Sequence, residues 1–121
     1  MTNFKFKGGV LLAVWAASAL LTGCATSTPT SALYQWDGYQ PQVYEYFKGQ
    51  KSPAEQIDAL EKALQQIRAT GSRPPPGFHA HLGMLYASVG KDQQAKQELV
   101  AEKESFPESS PYTDFLLKKF N

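Results

Sequence analysis

The sequence has few of the residues that form disulfides, membrane spans or nucleic-acid surfaces. Its 121 residues include one cysteine, so no intramolecular disulfide can form. Its one long apolar run, from Gly8 to Leu21, has about 14 residues, short of the roughly 20 that a helix needs to cross the bilayer core. The formal net charge is only +1, and the basic residues are scattered among acidic ones. This pattern excludes the basic stripe expected of a nucleic-acid-binding protein.

The components of common catalytic and metal sites are also scarce. His79 and His81 are the only histidines. Two residues apart on a helix, they point about 200° from each other and cannot share one metal ion. No serine lies in a glycine-flanked elbow that would make it a nucleophile. We interpret the carboxylates of one predicted helix as a solvated face, not as an acid–base pair: Glu98, Glu102, Glu104 and Glu108. We therefore predict no enzymatic activity, no cofactor, no metal site and no small-molecule substrate.

The first 23 residues have the features of a bacterial lipoprotein signal peptide. Lys5 and Lys7 precede the apolar run, as in secretory signals. The run ends in a lipobox, in which small residues give the peptidase access to the backbone and a thiol accepts the diacylglycerol: Leu21, Thr22, Gly23 and Cys24. The alternatives are an ordinary signal peptide or an N-terminal anchor that happens to contain a cysteine. We predict residues 1–23 to be removed and Cys24 to be acylated.

The predicted mature chain begins with a short lipid-anchored tether. Its 98 residues carry ten basic and eleven acidic residues, because two of the twelve basic residues lie in the signal peptide, and the formal charge is −1. Ala25 follows the cysteine, which by resemblance to the sorting rule of enteric lipoproteins favours the outer membrane. Residues 24–33 are predicted to be the acylated cysteine and a flexible tether, because residues 25–32 are small, polar and interrupted by proline. A reach of about 15–20 Å would keep the folded domain close to the membrane.

Residues 34–121 are predicted to be all-α, a stack of two helical hairpins and a C-terminal closing helix. A first helix is expected from about Gln40 to Lys48; a strand is the alternative, but strict alternation and a partner strand are both lacking. Ser52, Pro53 and Glu55 form a capping box that predicts a second helix over residues 52–69. Gly71 suits the left-handed residue that ends it.

A spacing typical of the tetratricopeptide repeat extends from Pro76 to Pro107. Its matching residues are Leu82, Gly83, Tyr86, Ala95, Leu99 and Pro107. The small Gly83 and Ala95 are expected where two antiparallel helices touch. His79 and Glu102 depart from the pattern, which prefers tryptophan and a small residue there. The closing helix is predicted from Ser110, with one shared face formed by Tyr112, Phe115, Leu116 and Phe120.

Three segments, residues 34–39, 74–86 and 102–109, resemble an uncharacterised family of small lipoproteins from Gram-negative bacteria, catalogued as a domain of unknown function. The resemblance covers essentially the whole mature domain. It implies no assigned activity. The genes of this family tend to lie beside those of a curli-secretion-type lipoprotein and of another lipoprotein, which implies a joint envelope assembly.

These features predict a non-enzymatic outer-membrane lipoprotein that faces the periplasm and acts as an adaptor for another envelope lipoprotein or membrane protein. A regulator of a periplasmic enzyme such as a cell-wall synthase is the alternative, although the short tether argues against it. The aromatic stretch from Trp36 to Phe47 is expected mainly in the core, and becomes the best docking surface if two of its rings stay exposed. The candidate partner-binding residues are Trp36, Tyr39, Tyr44, Phe78, His79 and His81.

Overall fold

The computed structural model describes residues 32–120, which belong to one compact unit. The predicted signal peptide and most of the tether lie outside the described residues, and with them the lipobox: Leu21, Thr22, Gly23 and Cys24. The described part of the chain is all-helical and contains no strand, which confirms the predicted class. None of its helices is long and apolar enough to span a membrane.

Five α-helices follow one another along the chain. They are α1 (Tyr39–Lys48), α2 (Pro53–Ala69), α3 (Phe78–Ser88), α4 (Asp92–Ser105) and α5 (Ser110–Leu117). Short 3₁₀ turns lie at Pro107–Ser109 and Lys118–Phe120. Each helix packs mainly against its neighbours in the chain, and the α3–α4 pair has by far the most extensive contact.

Local sequence signals determine where α1 and α2 begin. The predicted capping box is confirmed: the backbone N–H of Glu55 donates to Ser52 Oγ at 3.3 Å, and the backbone N–H of Ser52 donates to Glu55 Oε2 at 2.8 Å. Helix α1 begins after Gly38, whose φ of +80° is in the left-handed region. A Cβ at Gly38 would lie 2.8 Å from Ala63 Cβ. The start of α1 therefore packs directly against α2.

The hydrophobic core is built by α2, α3 and α4. Apolar residues of α2 at three- and four-residue spacing meet those of the next two helices, and the buried cluster comprises Ile57, Leu60, Ala63, Leu64, Ile67, Phe78, Leu82, Leu85, Tyr86 and Ala95. Full burial of each large side chain in it stabilises the fold by about 1.5–3 kcal/mol. Helix α1 adds only the half-buried Tyr39. The first helix is therefore an outer layer on this core.

Helices α3 and α4 form an antiparallel hairpin with a close crossing at Gly83. A Cβ there would lie 3.1 Å from the Ala95 carbonyl oxygen and 3.2 Å from Leu99 Cγ. The turn between the two helices contains Gly90 with a φ of +74°. The small residues of the tetratricopeptide pattern thus lie where the two helices touch, as the spacing predicts.

The closing helix packs with only part of its predicted apolar face. Leu116 and Phe120 are half-buried, whereas Tyr112 and Phe115 are exposed. Thr113, which the apolar pattern did not mark, is fully buried instead. The prediction of one shared packing face is therefore wrong for Tyr112 and Phe115, because α5 turns the face that contains Thr113 toward the domain.

Candidate functional site

Five aromatic residues near the start of the domain form the candidate site, here called the aromatic surface: Trp36, Tyr39, Tyr44, Tyr46 and Phe47. Tyr39 is half-buried, but the exposed fractions of the other four are 44% for Trp36, 62% for Tyr44, 41% for Tyr46 and 81% for Phe47. The expectation that this stretch is mainly core is wrong for these four. Helix α1 packs on the domain with one face only, so Tyr44 and Phe47 on its other face stay in solvent, whereas Trp36 and Tyr46 are partly covered by the rings of Tyr39 and His81. Such a concentration of exposed rings is typical of interaction sites.

The aromatic surface is continuous with the core through ring contacts. The Tyr39 ring centroid lies 6.3 Å from that of Trp36 and 5.3 Å from that of the buried Phe78. The His81 ring lies 6.1 Å from the Tyr39 ring and 5.2 Å from the Tyr46 ring. These distances fall within the range of favourable aromatic pairs. The buried rings therefore form a rigid base beneath the exposed ones.

Two hydrogen bonds hold the segment that leads into the aromatic surface. The backbone N–H of Gln35 donates to the Arg73 carbonyl at 2.9 Å, and the Thr70 hydroxyl donates to Gln35 Oε1 at 2.8 Å. Both partners lie at the end of α2 or in the loop that follows it. These two bonds, here called the Gln35 clasp, fix the chain one residue before Trp36.

The Tyr39 side chain fits against a glycine at the start of α3. A Cβ at Gly77 would lie 2.9 Å from the Tyr39 hydroxyl oxygen, and Gly77 has a φ of +88°. Both facts favour glycine at this position. Burial, together with the negative charge of Glu102, raises the pKa of Tyr39 above its usual value. Tyr39 therefore keeps its proton and is neutral at the boundary between surface and core.

Glu102 of α4 caps the N-terminus of α3. Its carboxylate accepts the backbone N–H of Gly77 at 2.7 Å and that of Ala80 at 3.3 Å, and the residue is only 2% exposed. The interpretation of the acidic cluster as a solvated face is wrong for Glu102. Helix α3 begins at a glycine and has no capping side chain of its own, although its first turn is buried. The lack of a capping residue in the sequence before α3 is therefore a signal that a carboxylate from elsewhere in the chain caps this helix.

The three predicted residues at the start of α3 lie in the interior. Phe78 is fully buried, and the buried His79 places Nδ1 2.6 Å from Glu98 Oε2. His81 is also buried, and burial lowers its pKa. Its Nε2 has no hydrogen-bond partner. Among the candidate residues, Trp36, Tyr39 and Tyr44 belong to the aromatic surface, and Phe78 and His81 contact its rings from the interior. His79 pairs with Glu98 instead.

A second set of polar side chains, centred on Tyr86 and Glu61, lies between α2, α3 and α4. The Tyr86 hydroxyl donates to Glu61, and burial, this hydrogen bond and nearby carboxylates raise the pKa of Tyr86. A polar cavity of about 210 Å³ adjoins the pair and is lined by Glu61, Leu64, Gln65, Arg68, Leu82, Tyr86 and Glu98. Within residues 32–120, no group of three or more His, Cys, Asp or Glu side chains is placed to hold a metal ion. Because its pKa is raised, Tyr86 keeps its proton and donates a hydrogen bond to Glu61. This hydrogen bond therefore links α3 to α2.

A family described as a domain of unknown function, DUF4810, matches residues 33–116. The chain belongs to this family. The DUF4810 match begins just before the Gln35 clasp, contains the whole aromatic surface and the Glu102 cap, and ends within α5. Searches of curated proteins and of solved structures found no match. The uncharacterised family expected from the three sequence segments is thus confirmed.

Proposed function

We propose that this protein is an outer-membrane lipoprotein whose tetratricopeptide-like domain is a non-enzymatic adaptor, binding another envelope protein through the aromatic surface. The observation that carries the proposal is that four aromatic residues in the stretch from Trp36 to Phe47 each expose more than two-fifths of their area. Tryptophan and tyrosine are the residues most often found as energetic anchors of protein interfaces. Burial of these rings by a partner would remove a large apolar area from water.

The aromatic surface has the stiffness that a binding site needs. Aromatic side chains have few rotatable bonds and lose little conformational entropy on binding. Trp36 and Tyr46 also rest on the rings of Tyr39 and His81, which are held by the core. Only a small ordering cost therefore opposes association.

The lipobox ending at Cys24 supports a location next to the membrane. The surface begins 12 residues after this cysteine. Even fully extended, a segment of that length spans only about 40 Å. The partner should therefore be a lipoprotein or a membrane protein close to the bilayer. Cys24→Ser tests this part: we expect the variant in the soluble periplasmic fraction and the wild type, with an acylated cysteine by mass spectrometry, in the outer-membrane fraction. Equal fractionation of the two would contradict the anchor.

Site-specific photo-crosslinking in intact cells tests the adaptor. A photoreactive residue would replace Tyr44 or Phe47, and the control would replace Val100 of α4, which is also exposed, at 41%. We expect a discrete protein adduct from the first two positions and none from Val100. Adducts with lipid alone, or no adduct, would contradict the proposal.

Tryptophan fluorescence gives a second measurement with the purified partner. Trp36 is the only tryptophan after the predicted signal peptide, because Trp15 lies within it. Its emission should shift to shorter wavelength when a partner covers the aromatic surface. A Phe47→Ser variant should bind more weakly and need more partner to produce the same shift.

A further inference from the structure

An apolar groove lies away from the aromatic surface, between α3, α4 and the C-terminal residues. Its volume is about 330 Å³, at the small end of the roughly 300–1,000 Å³ typical of ligand sites. The lining residues are Gly83, Met84, Ala87, Ser88, Leu99, Leu116, Lys119 and Phe120. None of them belongs to the aromatic surface. The groove is therefore a second, separate feature of the domain.

The groove offers very few hydrogen-bonding groups. Only Ser88 and Lys119 have polar side chains in its lining, and the Ser88 hydroxyl already donates to the Leu85 carbonyl at 2.6 Å. An extended peptide would bring a backbone N–H and C=O at every residue, and each needs a partner when it leaves water. An alkyl chain brings none. The chemistry of the lining therefore favours an aliphatic ligand over a peptide.

Lys119 is the single charged residue of the lining. Its ammonium lies 5.6 Å from the centre of the exposed Phe115 ring, at the outer edge of α5. A positive charge beside an apolar groove, with no acidic residue among the lining, is complementary to an amphiphile with one negative head group. Neutral esters and amides of fatty acids lack that charge.

We propose that this groove binds a free medium-chain fatty acid, with the alkyl chain between Met84, Leu116 and Phe120 and the carboxylate paired with Lys119. The small Ala87 leaves space that the chain occupies, whereas the space beside Gly83 is filled by α4. This site is independent of the lipid anchor and of the aromatic surface. A fatty acid held here would link α3 to the C-terminal turn.

Calorimetric titration with laurate tests the site. The protein would be the mature chain with Cys24→Ser, so that its own acyl groups cannot compete, and laurate would stay below its micelle concentration. We expect saturable binding of one laurate per chain. Decanoate, two methylenes shorter, should bind about tenfold more weakly, and dodecanol, which lacks the carboxylate, about two- to fivefold more weakly than laurate.

Two matched pairs of variants locate the ligand. Ser88→Phe fills the groove, whereas Val89→Phe places the same ring at an exposed neighbour outside it. Lys119→Gln removes the lining charge, whereas Lys118→Gln removes a charge outside the lining. We expect Ser88→Phe to abolish binding, Lys119→Gln to weaken laurate to the level of dodecanol, and both controls to bind as the parent does. Circular dichroism would verify that each variant is folded.

Several results would overturn the proposal. These are the absence of saturable laurate binding, binding that Ser88→Phe leaves intact, and equal effects of each variant and its control. Saturable binding of an acidic peptide in competition with laurate would assign the groove to a protein partner instead. Loss of the Tyr44 crosslink would leave laurate binding unchanged, so the adaptor and the fatty-acid site can fail separately.

Discussion

The α3–α4 hairpin and helix α1 both contain many large side chains, but they place them differently. The hairpin buries Phe78, Leu82 and Leu99 on several sides of its two helices. Helix α1 buries one face and leaves Tyr44 and Phe47 in solvent. The hairpin thus supplies stability, and α1 supplies a surface. Substitutions in the two regions should accordingly have separable effects.

Among substitutions at the candidate site, the largest effect on stability should come from removal of the Glu102 cap. Glu102→Ala leaves the backbone N–H groups of Gly77 and Ala80 without an acceptor in a buried position. We expect a loss of about 3 kcal/mol in the free energy of unfolding, measured by urea denaturation. The exposed neighbour Glu104 is the control, and its change to alanine should cost less than about 0.5 kcal/mol. Equal losses in both variants would show that the cap adds nothing.

A smaller effect is expected where the hairpin touches the aromatic surface. Gly77→Ala places a Cβ against the Tyr39 hydroxyl, whereas Gly71→Ala meets nothing within 4 Å, and both residues have positive φ. The backbone penalty of about 1–2 kcal/mol is common to the two variants. The difference between them isolates the displacement of Tyr39, for which we expect about 1 kcal/mol more. Trp36 emission should change only in Gly77→Ala, because Trp36 packs on Tyr39; the same change in both variants would contradict this coupling.

His81 should make stability depend on pH on the acidic side. Burial lowers its pKa in the folded state, so below about pH 6.5 the unfolded chain takes up a proton that the folded chain does not. The free energy of unfolding should therefore fall as the pH drops from 6.5 toward the folded-state pKa, and level off below it. Urea denaturation at several pH values checks this. His81→Phe should remove the slope in this window, and an unchanged slope would assign it to other groups.

The smallest effect on stability should come from the solvent face of α1. Tyr44→Ser and Phe47→Ser remove exposed rings, so we expect changes within about 0.5 kcal/mol. Leu60→Ala in the core should cost about 2–5 kcal/mol. Partner crosslinking should nevertheless fall sharply in the two surface variants and persist in Leu60→Ala at temperatures where it is folded. A loss of stability as large as that of Leu60→Ala would show that the rings pack against the domain.

The helices could be predicted from the sequence because their signals are local. The Ser52 capping box, the glycine after α2 and the regular spacing on α2 each involve residues within a few turns of one another. Helix α1 was predicted one residue short, since Gly38 allows the helix to begin at Tyr39. Gly83 and Ala95 were also correctly placed, because a fixed repeat spacing predicts which small residues meet.

The details of the site depended on contacts between distant residues. Glu102 reaches an N-terminus 25 residues earlier in the chain, and a periodic pattern cannot distinguish such a carboxylate from a solvated one. The aromatic stretch has the composition of a core segment. Its exposure follows from the outer position of α1, which depends on the packing of α2, α3 and α4. The burial of Phe78 and His79 also depends on the packing of these three helices.

The Gln35 clasp has a mechanical consequence. A pull on the chain before Ala32 reaches the domain first at Tyr34, whose ring packs on the buried Phe106, and at the two hydrogen bonds that join Gln35 to Arg73 and Thr70. Under load these bonds should break one after the other, and Trp36 should peel away before the core yields. The N-terminal end of the domain should therefore be its mechanically weakest part. A force applied through the bound partner should distort the aromatic surface before it unfolds the α3–α4 hairpin.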